Sequence, residues 1–255
     1  MEKQVSIIKY KNGKKEKKLD KVAEEVPLTI FLNGEELITL LCTPEYLEDL
    51  AVGFLVAEGI LVPEVNLKVQ VQHEKGLIWV EAEKVSKLGK ASFGKRMVTT
   101  GCGKGTSLFQ YHGRGKIAHN LMEISIEKLF SSLKEMHAVS NLYLSTGGVH
   151  SAALSDTEGN MLVFREDVGR HNAADKILGY CIRHELQLMD KIFLTSGRVS
   201  SEIVGKVAQM GVPVLVSRAA PTSMAIKLAE ELGLTVVGFM RGGRANIYTH
   251  VDRIR

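Results

Sequence analysis

The feature that most constrains the fold is an alternation of short β-rich segments with amphipathic helical segments after about residue 123. A helix is predicted at residues 126–137, followed by extended segments at 141–145 and 151–155. Further strands are predicted at residues 160–165, 191–195, 213–217 and 235–239, and helices at 172–184, 201–210 and 223–232. Strands joined by helices of this length form right-handed crossovers, so the pattern predicts an α/β fold with a mainly parallel sheet covered on both faces.

The first 122 residues have a different pattern, in which strands surround one helix. Asn33 and Gly34 separate two β-rich segments, residues 27–32 and 35–42, and suit a type I′ hairpin turn. Thr43 is predicted to cap a helix that has Pro44 at its first position and ends at Gly59. Residues 67–72 and 77–82 indicate a second hairpin. We therefore predict a smaller α+β domain at residues 1–122 and an α/β domain at residues 123–255.

Composition and charge exclude several classes of protein. No apolar stretch reaches the roughly 18 residues that span a bilayer, and the charged N-terminus lacks a secretion signal, so no membrane association and a cytoplasmic location are expected. The three cysteines are odd in number and far apart, which favours reduced thiols. The net charge is +4, with lysines concentrated in residues 11–21. A solvated arm or hairpin explains that run better than a phosphate-binding patch, and nucleic acid is not an expected partner.

One cysteine, Cys102, lies in an unusual setting. The stretch at about residues 83–120 is rich in Gly, Lys, Ser and Thr and shows little apolar periodicity, so we expect a mobile loop. Gly101 and Gly103 flank Cys102, and Lys104 would favour the nucleophilic thiolate. The alternative is an inert cysteine in a loop, although free cysteines are usually buried. Cys42 and Cys181 fall in a predicted strand and a predicted helix, where core packing explains them.

Polar segments follow three of the predicted strands, at the positions where α/β sheets bind ligands. The first contains Arg170 and His171, where a helix begins and free N–H groups favour an anion. Plain capping by Asp167 or Asn172 is the alternative there. The other two segments contribute the remaining candidate binding residues, which are Ser196, Arg198, Phe239, Met240, Arg241, Gly242, Gly243 and Arg244. Arginines can hold phosphates, and an aromatic ring can stack on a base. For His150, a structural role and a functional role stay equally open.

The chain resembles the formate dehydrogenase accessory sulfurtransferase family, FdhD. The likeness lies in residues 146–154, 166–179, 196–211, 221–233 and 237–249, and the sequences EDVGRHNAADK and SGRVSSE are its most specific parts. The resemblance implies that a cysteine desulfurase loads persulfide sulfur onto Cys102, which passes it to the molybdenum or tungsten cofactor of formate dehydrogenase. That cofactor, a bis(molybdopterin guanine dinucleotide), would be bound as substrate by the C-terminal domain, with residues 239–244 in the guanine dinucleotide site.

The resemblance also implies a fold similar to cytidine deaminase for the C-terminal domain, a homodimer, and the formate dehydrogenase catalytic subunit as a partner. One position departs from the family, because Gly105 stands where the loop usually has a second cysteine. A mechanism with one loop thiol is therefore expected.

Two other functions compete with sulfur transfer. A zinc-dependent deaminase needs His-x-Glu and Pro-Cys-x-x-Cys, whereas the corresponding segments here begin at His171 and Ser196 and contain neither the glutamate nor the cysteines. We therefore expect no catalytic zinc and no metal ligands. The second alternative is a non-catalytic chaperone that binds and inserts the cofactor, and persulfide on Cys102 would separate it from a sulfurtransferase.

Overall fold

A computed structural model of the protein describes residues 1–62, 66–86, 117 and 122–255. Cys102 and most of the predicted loop at residues 83–120 lie outside the described residues. Within the described part of the chain, no helix is long and apolar enough to cross a membrane.

The C-terminal part is built on a six-stranded sheet. Its strands lie in the order β12-β11-β10-β9-β7-β8. The strands are β7 (His150–Ser155), β8 (Met161–Asp167), β9 (Ile192–Thr195), β10 (Val214–Ser217), β11 (Thr235–Arg241) and β12 (Arg244–Ile247). Three strands, β9, β10 and β11, run parallel, and the other pairings are antiparallel. The α/β class is confirmed, but the sheet is mixed and not mainly parallel, because β7–β8 and β11–β12 are joined by tight turns and not by helices.

Helices cover both faces of this sheet. They are α2 (Ile126–Val139), α3 (Asn141–Thr146), α4 (Arg170–Arg183), α5 (Ser201–Met210) and α6 (Ser223–Leu232). Alternate residues of β7, β9 and β10 belong to different cores. On β9, Phe193 packs into the core that contains residues of α4, α5 and α6, whereas Ile192 and Leu194 pack with Leu129 and Leu133 of α2. The predicted covering of both faces is therefore confirmed.

A second, four-stranded sheet has the order β4-β3-β6-β5. Its strands are β3 (Val26–Leu32), β4 (Glu35–Cys42), β5 (Leu67–Gln72) and β6 (Leu77–Ala82), with a 3₁₀ turn at His73–Lys75. Both predicted hairpins are confirmed. Asn33 and Gly34 have φ of 49° and 84°, the positive pair that a type I′ turn requires.

Helix α1 (Leu47–Ala57) joins the two sheets through its contact with α4. At the crossing the backbones touch, since a Cβ on Gly53 would lie 1.8 Å from the carbonyl oxygen of Asp175, and one on Gly179 would lie 1.8 Å from that of Asp49. Residues of both sheets and of both helices therefore share one hydrophobic core. The division of the chain near Met122 stays a prediction.

The predicted start of α1 is wrong. The helix begins at Leu47, after Tyr46, so Thr43 is not its cap and Pro44 is not its first residue. Thr43 instead directs its backbone N–H and its hydroxyl to the buried carboxylate of Asp167, at 3.1 and 3.0 Å. Thr43 thus forms hydrogen bonds with a residue 124 positions away in place of the predicted cap on its own helix. The predicted end is confirmed, because Gly59 follows the helix with φ of 70°.

Residues 141–145 are helical and not extended as predicted. They form the short helix α3, whose free N–H groups at Leu142 and Tyr143 donate to the carboxylate of Glu166 at 3.1 and 2.9 Å. A carboxylate at a helix N-terminus supplies partners for donors that the helix leaves unpaired. Burial raises the pKa of Glu166. The carboxylate comes from a neighbouring strand, so nothing within residues 141–145 indicated the helix.

The first 23 residues form a long hairpin of β1 (Glu2–Lys11) and β2 (Lys14–Ala23), a two-stranded sheet of its own. Asn12 and Gly13 have φ of 51° and 79° at its turn. The lysine-rich stretch is thus an exposed hairpin, which confirms one of its predicted forms.

Candidate functional site

A cleft of about 580 Å³ opens at one edge of the six-stranded sheet. The parallel strands β9, β10 and β11 end at this edge, and antiparallel pairing brings the start of β7 and the end of β8 to it as well. The polar and aromatic residues that line the cleft include Tyr143, His150, Ser196, Arg218, Phe239 and Arg241. The cleft therefore lies at the carboxyl ends of the strands, where α/β sheets usually bind ligands.

Ser196, directly after β9, forms the floor of the cleft. Its hydroxyl accepts a hydrogen bond from the backbone N–H of Ser151 at 2.9 Å, and its Oγ lies 3.5 Å from Nδ1 of His150. Burial, together with the nearby guanidinium groups of Arg170 and Arg198, lowers the pKa of His150. His150 is therefore neutral at physiological pH and can both donate and accept a hydrogen bond. His150 lines the cleft.

Gly197 allows close packing beside this pair. A Cβ at this position would lie 3.1 Å from Cβ of Arg170 and 3.5 Å from Nδ1 of His150, so a larger residue would displace one of them. The carbonyl oxygen of Gly197 accepts a hydrogen bond from the Ser217 hydroxyl at 2.7 Å, which ties the ends of β9 and β10 together. Arg170 is half-buried and Arg198 is exposed. The structure thus places both arginines near the floor of the cleft.

His171 occupies a different environment from its neighbour Arg170. Its Nε2 lies 3.2 Å from a carboxylate oxygen of Glu202 on α5, and the side chain is mostly buried. Burial, with the positive charges of Lys206 and Arg170, lowers the pKa of His171 to about 3. The structure therefore places this neutral imidazole between two helices and not in the wall of the cleft.

Two arginines form the other side of the cleft. Arg218 follows β10, where its backbone N–H donates to the Thr195 carbonyl oxygen at 3.3 Å, and Arg241 ends β11. Arg218 is not among the predicted binding residues, although the rule that ligands bind at strand ends applies to it as well. In the described parts of the chain, no carboxylate forms an ion pair with Arg218, Arg241 or Arg244. Cations without an internal counter-charge suit an anionic ligand.

The segment at residues 239–244 is a hairpin and does not simply follow the last strand. β11 extends to Arg241, Gly242 and Gly243 form the turn, and Arg244 begins β12 opposite Arg241. Like charges directly opposite each other on a sheet repel, and a bound anion would offset the repulsion between Arg241 and Arg244. A second cavity of about 310 Å³ adjoins the cleft and shares Arg218 and Arg241 with it; Met240, Gly242 and Gly243 are among its other lining residues.

Phe239 has an unusual backbone. Its φ is 53°, in the left-handed region that residues with a Cβ rarely adopt, and it lies in a β-bulge between Gly238 and Arg241. The Phe239 backbone N–H donates to the Ala219 carbonyl oxygen at 3.0 Å, which holds the bulge against the loop after β10. Such strained residues cluster at functional sites. The bulge places the half-buried Phe239 ring in the cleft wall.

Several charged residues of the EDVGRHNAADK motif have structural roles. The buried carboxylate of Asp167 accepts hydrogen bonds from the Gly169 N–H and the Asn172 amide, both at 2.9 Å, and pairs with the buried ammonium of Lys176 at 2.7 Å. Helix α4 begins at Arg170, and its N-cap residue is Gly169, which has no side chain that could cap the helix. This network holds the turn before α4 and so positions Arg170. Asp167 and Asn172 therefore do not act as isolated helix caps. They belong to a buried hydrogen-bond network that also includes Thr43.

The described cysteines are both buried. Burial raises the pKa of Cys42 and of Cys181 to about 12, so both stay protonated thiols at neutral pH. Cys102 lies outside the described residues.

Comparison with known proteins identifies the family. A model described as the FdhD/NarQ family matches residues 23–255. The chain belongs to this family. It is 42% identical over 251 residues to the sulfur carrier protein FdhD of Bacillus pumilus, a match that covers 97% of this chain and 95% of that protein. It is 40% identical over 252 residues to the sulfur carrier protein FdhD of Bacillus subtilis, with 98% and 96% covered.

A crystal structure also matches. A protein from Desulfotalea psychrophila, described as a formate dehydrogenase accessory protein, superposes with a TM-score of 0.84 at 26% identity and covers 100% of this chain and 99% of its own. The resemblance to FdhD proteins in the sequence motifs is therefore confirmed, and this chain shares its fold with that formate dehydrogenase accessory protein.

Proposed function

We propose that this protein carries sulfane sulfur on Cys102 and delivers it to the bis(molybdopterin guanine dinucleotide) cofactor needed for formate dehydrogenase activity. The observation that carries the proposal is the arginine-lined cleft at the strand ends of a chain whose relatives are named sulfur carrier proteins. A sulfur carrier needs a reactive thiol and a site for the acceptor. The chain offers a candidate for each.

The assignment of Cys102 as the carrier rests on the chain's other thiols. The protein has three cysteines, and a pKa of about 12 leaves roughly one part in 10⁵ of Cys42 or Cys181 as thiolate at pH 7. Both are also buried. Cys102, between two glycines and near Lys104, is the cysteine whose sequence context favours a thiolate.

The proposed loading step is a thiol–persulfide exchange. The Cys102 thiolate attacks the terminal sulfur of a persulfide on a cysteine desulfurase, the sulfur–sulfur bond of the donor breaks, and the donor cysteine leaves as a thiolate. In delivery, the terminal sulfur of the Cys102 persulfide passes to the cofactor metal, which supplies the electron pair that reduces it to a sulfido ligand, and Cys102 returns to the thiolate. One thiol suffices for both steps, which agrees with Gly105 in the place of a second loop cysteine.

The cleft is proposed to hold the cofactor as substrate. Arg218, Arg241 and Arg244 would pair with its pyrophosphates, and the Phe239 ring would stack on a guanine. The neutral His150 and the Ser196 hydroxyl would supply hydrogen bonds to the part of the ligand on the cleft floor. Glycines at positions 242 and 243 leave space for close backbone approach. We further propose a cytoplasmic homodimer that works with a desulfurase and with the formate dehydrogenase catalytic subunit.

A complementation experiment tests the proposal. In cells that lack this gene, Cys102→Ser should give no formate dehydrogenase activity, because a hydroxyl cannot hold sulfane sulfur. Cys181→Ala is the matched control, since it removes a thiol that the structure buries, and it should retain activity. Full activity with Cys102→Ser would contradict sulfur carriage and favour a chaperone that only binds and inserts the cofactor.

A further inference from the structure

The β1–β2 hairpin carries the chain's whole excess of positive charge. Residues 1–23 contain eight lysines against three carboxylates, a net charge of +5, whereas the complete chain has +4. The remaining 232 residues are therefore close to neutral.

Large apolar side chains on this hairpin are exposed to solvent. Ile8, Tyr10 and Leu19 are 62%, 69% and 60% exposed. The register pairs Ser6 with Leu19, Ile8 with Lys17 and Tyr10 with Lys15, and directly paired residues project from the same face of a two-stranded sheet. These three apolar residues thus share one face with Lys15 and Lys17, which we call the Tyr10 face. The opposite face carries five other lysines, and its exposed apolar residues, Val5 and Val22, are smaller and only 37% and 39% exposed; the lysines are Lys3, Lys9, Lys11, Lys14 and Lys18.

Protection of the sheet edges explains the lysines but not the apolar residues. Exposed strand edges are often guarded by lysine against pairing with other chains. Large apolar side chains on such an edge sheet have the opposite effect, and a two-stranded hairpin is only marginally stable alone in water. An aromatic and two aliphatic side chains surrounded by lysines match the composition of a protein interface, with an apolar centre and a charged rim.

The base of the hairpin lies at the mouth of the cleft. The Ser145 hydroxyl of α3 donates to the carboxylate of Glu2 at 2.7 Å. A Cβ on Gly148, which lines the cleft, would lie 3.3 Å from the Cβ of Ala23. Glu2 and Ala23 are paired, and the alternation along the strands puts them on the Tyr10 face. A protein bound to that face would therefore stand beside the cleft.

We propose that the Tyr10 face docks the protein that receives the cargo of the cleft, through an acidic surface with an apolar centre. This inference rests on the proposed function, under which that protein is the formate dehydrogenase catalytic subunit that accepts the cofactor. Charge complementarity selects an acidic partner, because a net charge of +5 on one projecting element attracts it and accelerates its association. A phosphate-rich nucleic acid is less well matched, since residues 1–23 contain no arginine, the residue best suited to hold phosphate.

The test compares two faces of the same hairpin. Ile8→Thr with Tyr10→Thr removes the apolar centre but keeps strand-forming side chains. Lys15→Glu with Lys17→Glu reverses two charges on the Tyr10 face, and Lys14→Glu with Lys18→Glu makes the same charge change on the opposite face. Binding of each full-length variant to the purified apo catalytic subunit of formate dehydrogenase is measured by biolayer interferometry. GDP affinity and circular dichroism serve as controls for the cleft and the fold.

The two variants of the Tyr10 face should bind the apo subunit at least tenfold more weakly, with the threonine variant losing affinity through faster dissociation. The variant of the opposite face should stay within about threefold, a loss confined to association rate, and all variants should bind GDP normally. The inference would be overturned if both charge variants lost affinity equally, or if the threonine variant bound within twofold of the wild type. It would also be overturned if the wild type did not bind the apo subunit, or if the variants changed binding only to RNA or to anionic phosphatidylserine vesicles. The readout involves no sulfur chemistry, so failure of Cys102→Ser to abolish maturation would contradict only the sulfur-carrier proposal.

Discussion

Replacement of Lys176 by methionine tests the network that positions the cleft. The Lys176 side chain is fully buried, with its Nζ 2.7 Å from a carboxylate oxygen of Asp167 and 2.6 Å from the Thr43 hydroxyl. Methionine has a similar length and shape but no charge. Lys176→Met therefore leaves the Asp167 carboxylate buried without its cation.

The size of the effect follows from burial. Removal of one partner of a buried ion pair costs about 3–5 kcal/mol. The hydrogen bonds that Asp167 accepts from Thr43, Gly169 and Asn172 offset part of this, so we expect the lower end of the range. With a urea m-value of about 3 kcal/mol/M, the unfolding midpoint should fall by about 1 M. The measurement is urea unfolding followed by circular dichroism.

Two further variants make this prediction specific. Asp167→Asn combined with Lys176→Met removes the orphaned charge, so the double variant should be more stable than Lys176→Met alone. Lys128→Met breaks the exposed pair with Glu158 and should cost less than about 1 kcal/mol. A cost below 1 kcal/mol for Lys176→Met, or a double variant less stable than the single one, would refute the reasoning.

Three other predictions follow from the structure. Burial beside Lys206 lowers the pKa of His171 to about 3 from an ordinary 6.5, so the unfolded chain binds the proton more tightly than the folded protein does. The free energy of unfolding should therefore fall as the pH drops below about 6.5, and urea titrations of His171→Asn should show a flatter pH dependence. Gly53→Ala would place a Cβ 1.8 Å from the Asp175 carbonyl oxygen, so the free energy of unfolding of this variant should drop by about 1–3 kcal/mol. An unchanged thermal midpoint would mean that α1 and α4 lie farther apart. The cleft should bind GDP more tightly than ADP in calorimetry, and Arg244→Ala should weaken GDP binding by about 1–3 kcal/mol with folding intact; equal affinities for the two nucleotides would contradict the guanine assignment.

Local signals predicted much of the fold. Asn33-Gly34 specified its hairpin because the positive φ angles that it favours are a property of those two residues. Helices α5 and α6 have the predicted ends, since Ser200 and Thr222 cap their starts and Gly211 and Gly233 follow with positive φ. These helices begin and end on interactions within a few residues, which a sequence pattern displays.

The wrong predictions share a different cause. Thr43 bonds to Asp167, and the helix at residues 141–146 depends on Glu166, so both outcomes were decided by contacts distant in sequence. The strand at Arg244–Ile247 was missed because the glycine pair before it was interpreted as part of a ligand loop and not as a hairpin turn. Of the predicted binding residues, Ser196, Phe239 and Arg241 line the cleft, whereas Arg170, Arg198 and Arg244 are not among its lining residues. Only the structure shows that Arg218 and His150 line it as well.

Mass spectrometry of the purified protein after incubation with a cysteine desulfurase and cysteine is the most direct test of sulfur carriage. We predict a mass increase of about 32 Da, one sulfur atom, on the peptide that contains Cys102. The same increase is expected in Cys42→Ala and Cys181→Ala, because burial keeps those thiols protonated. Cys102→Ser should show no added sulfur. Sulfur on Cys42 or Cys181 in the wild type, or an unmodified Cys102 peptide under conditions that load a known persulfide carrier, would contradict the account.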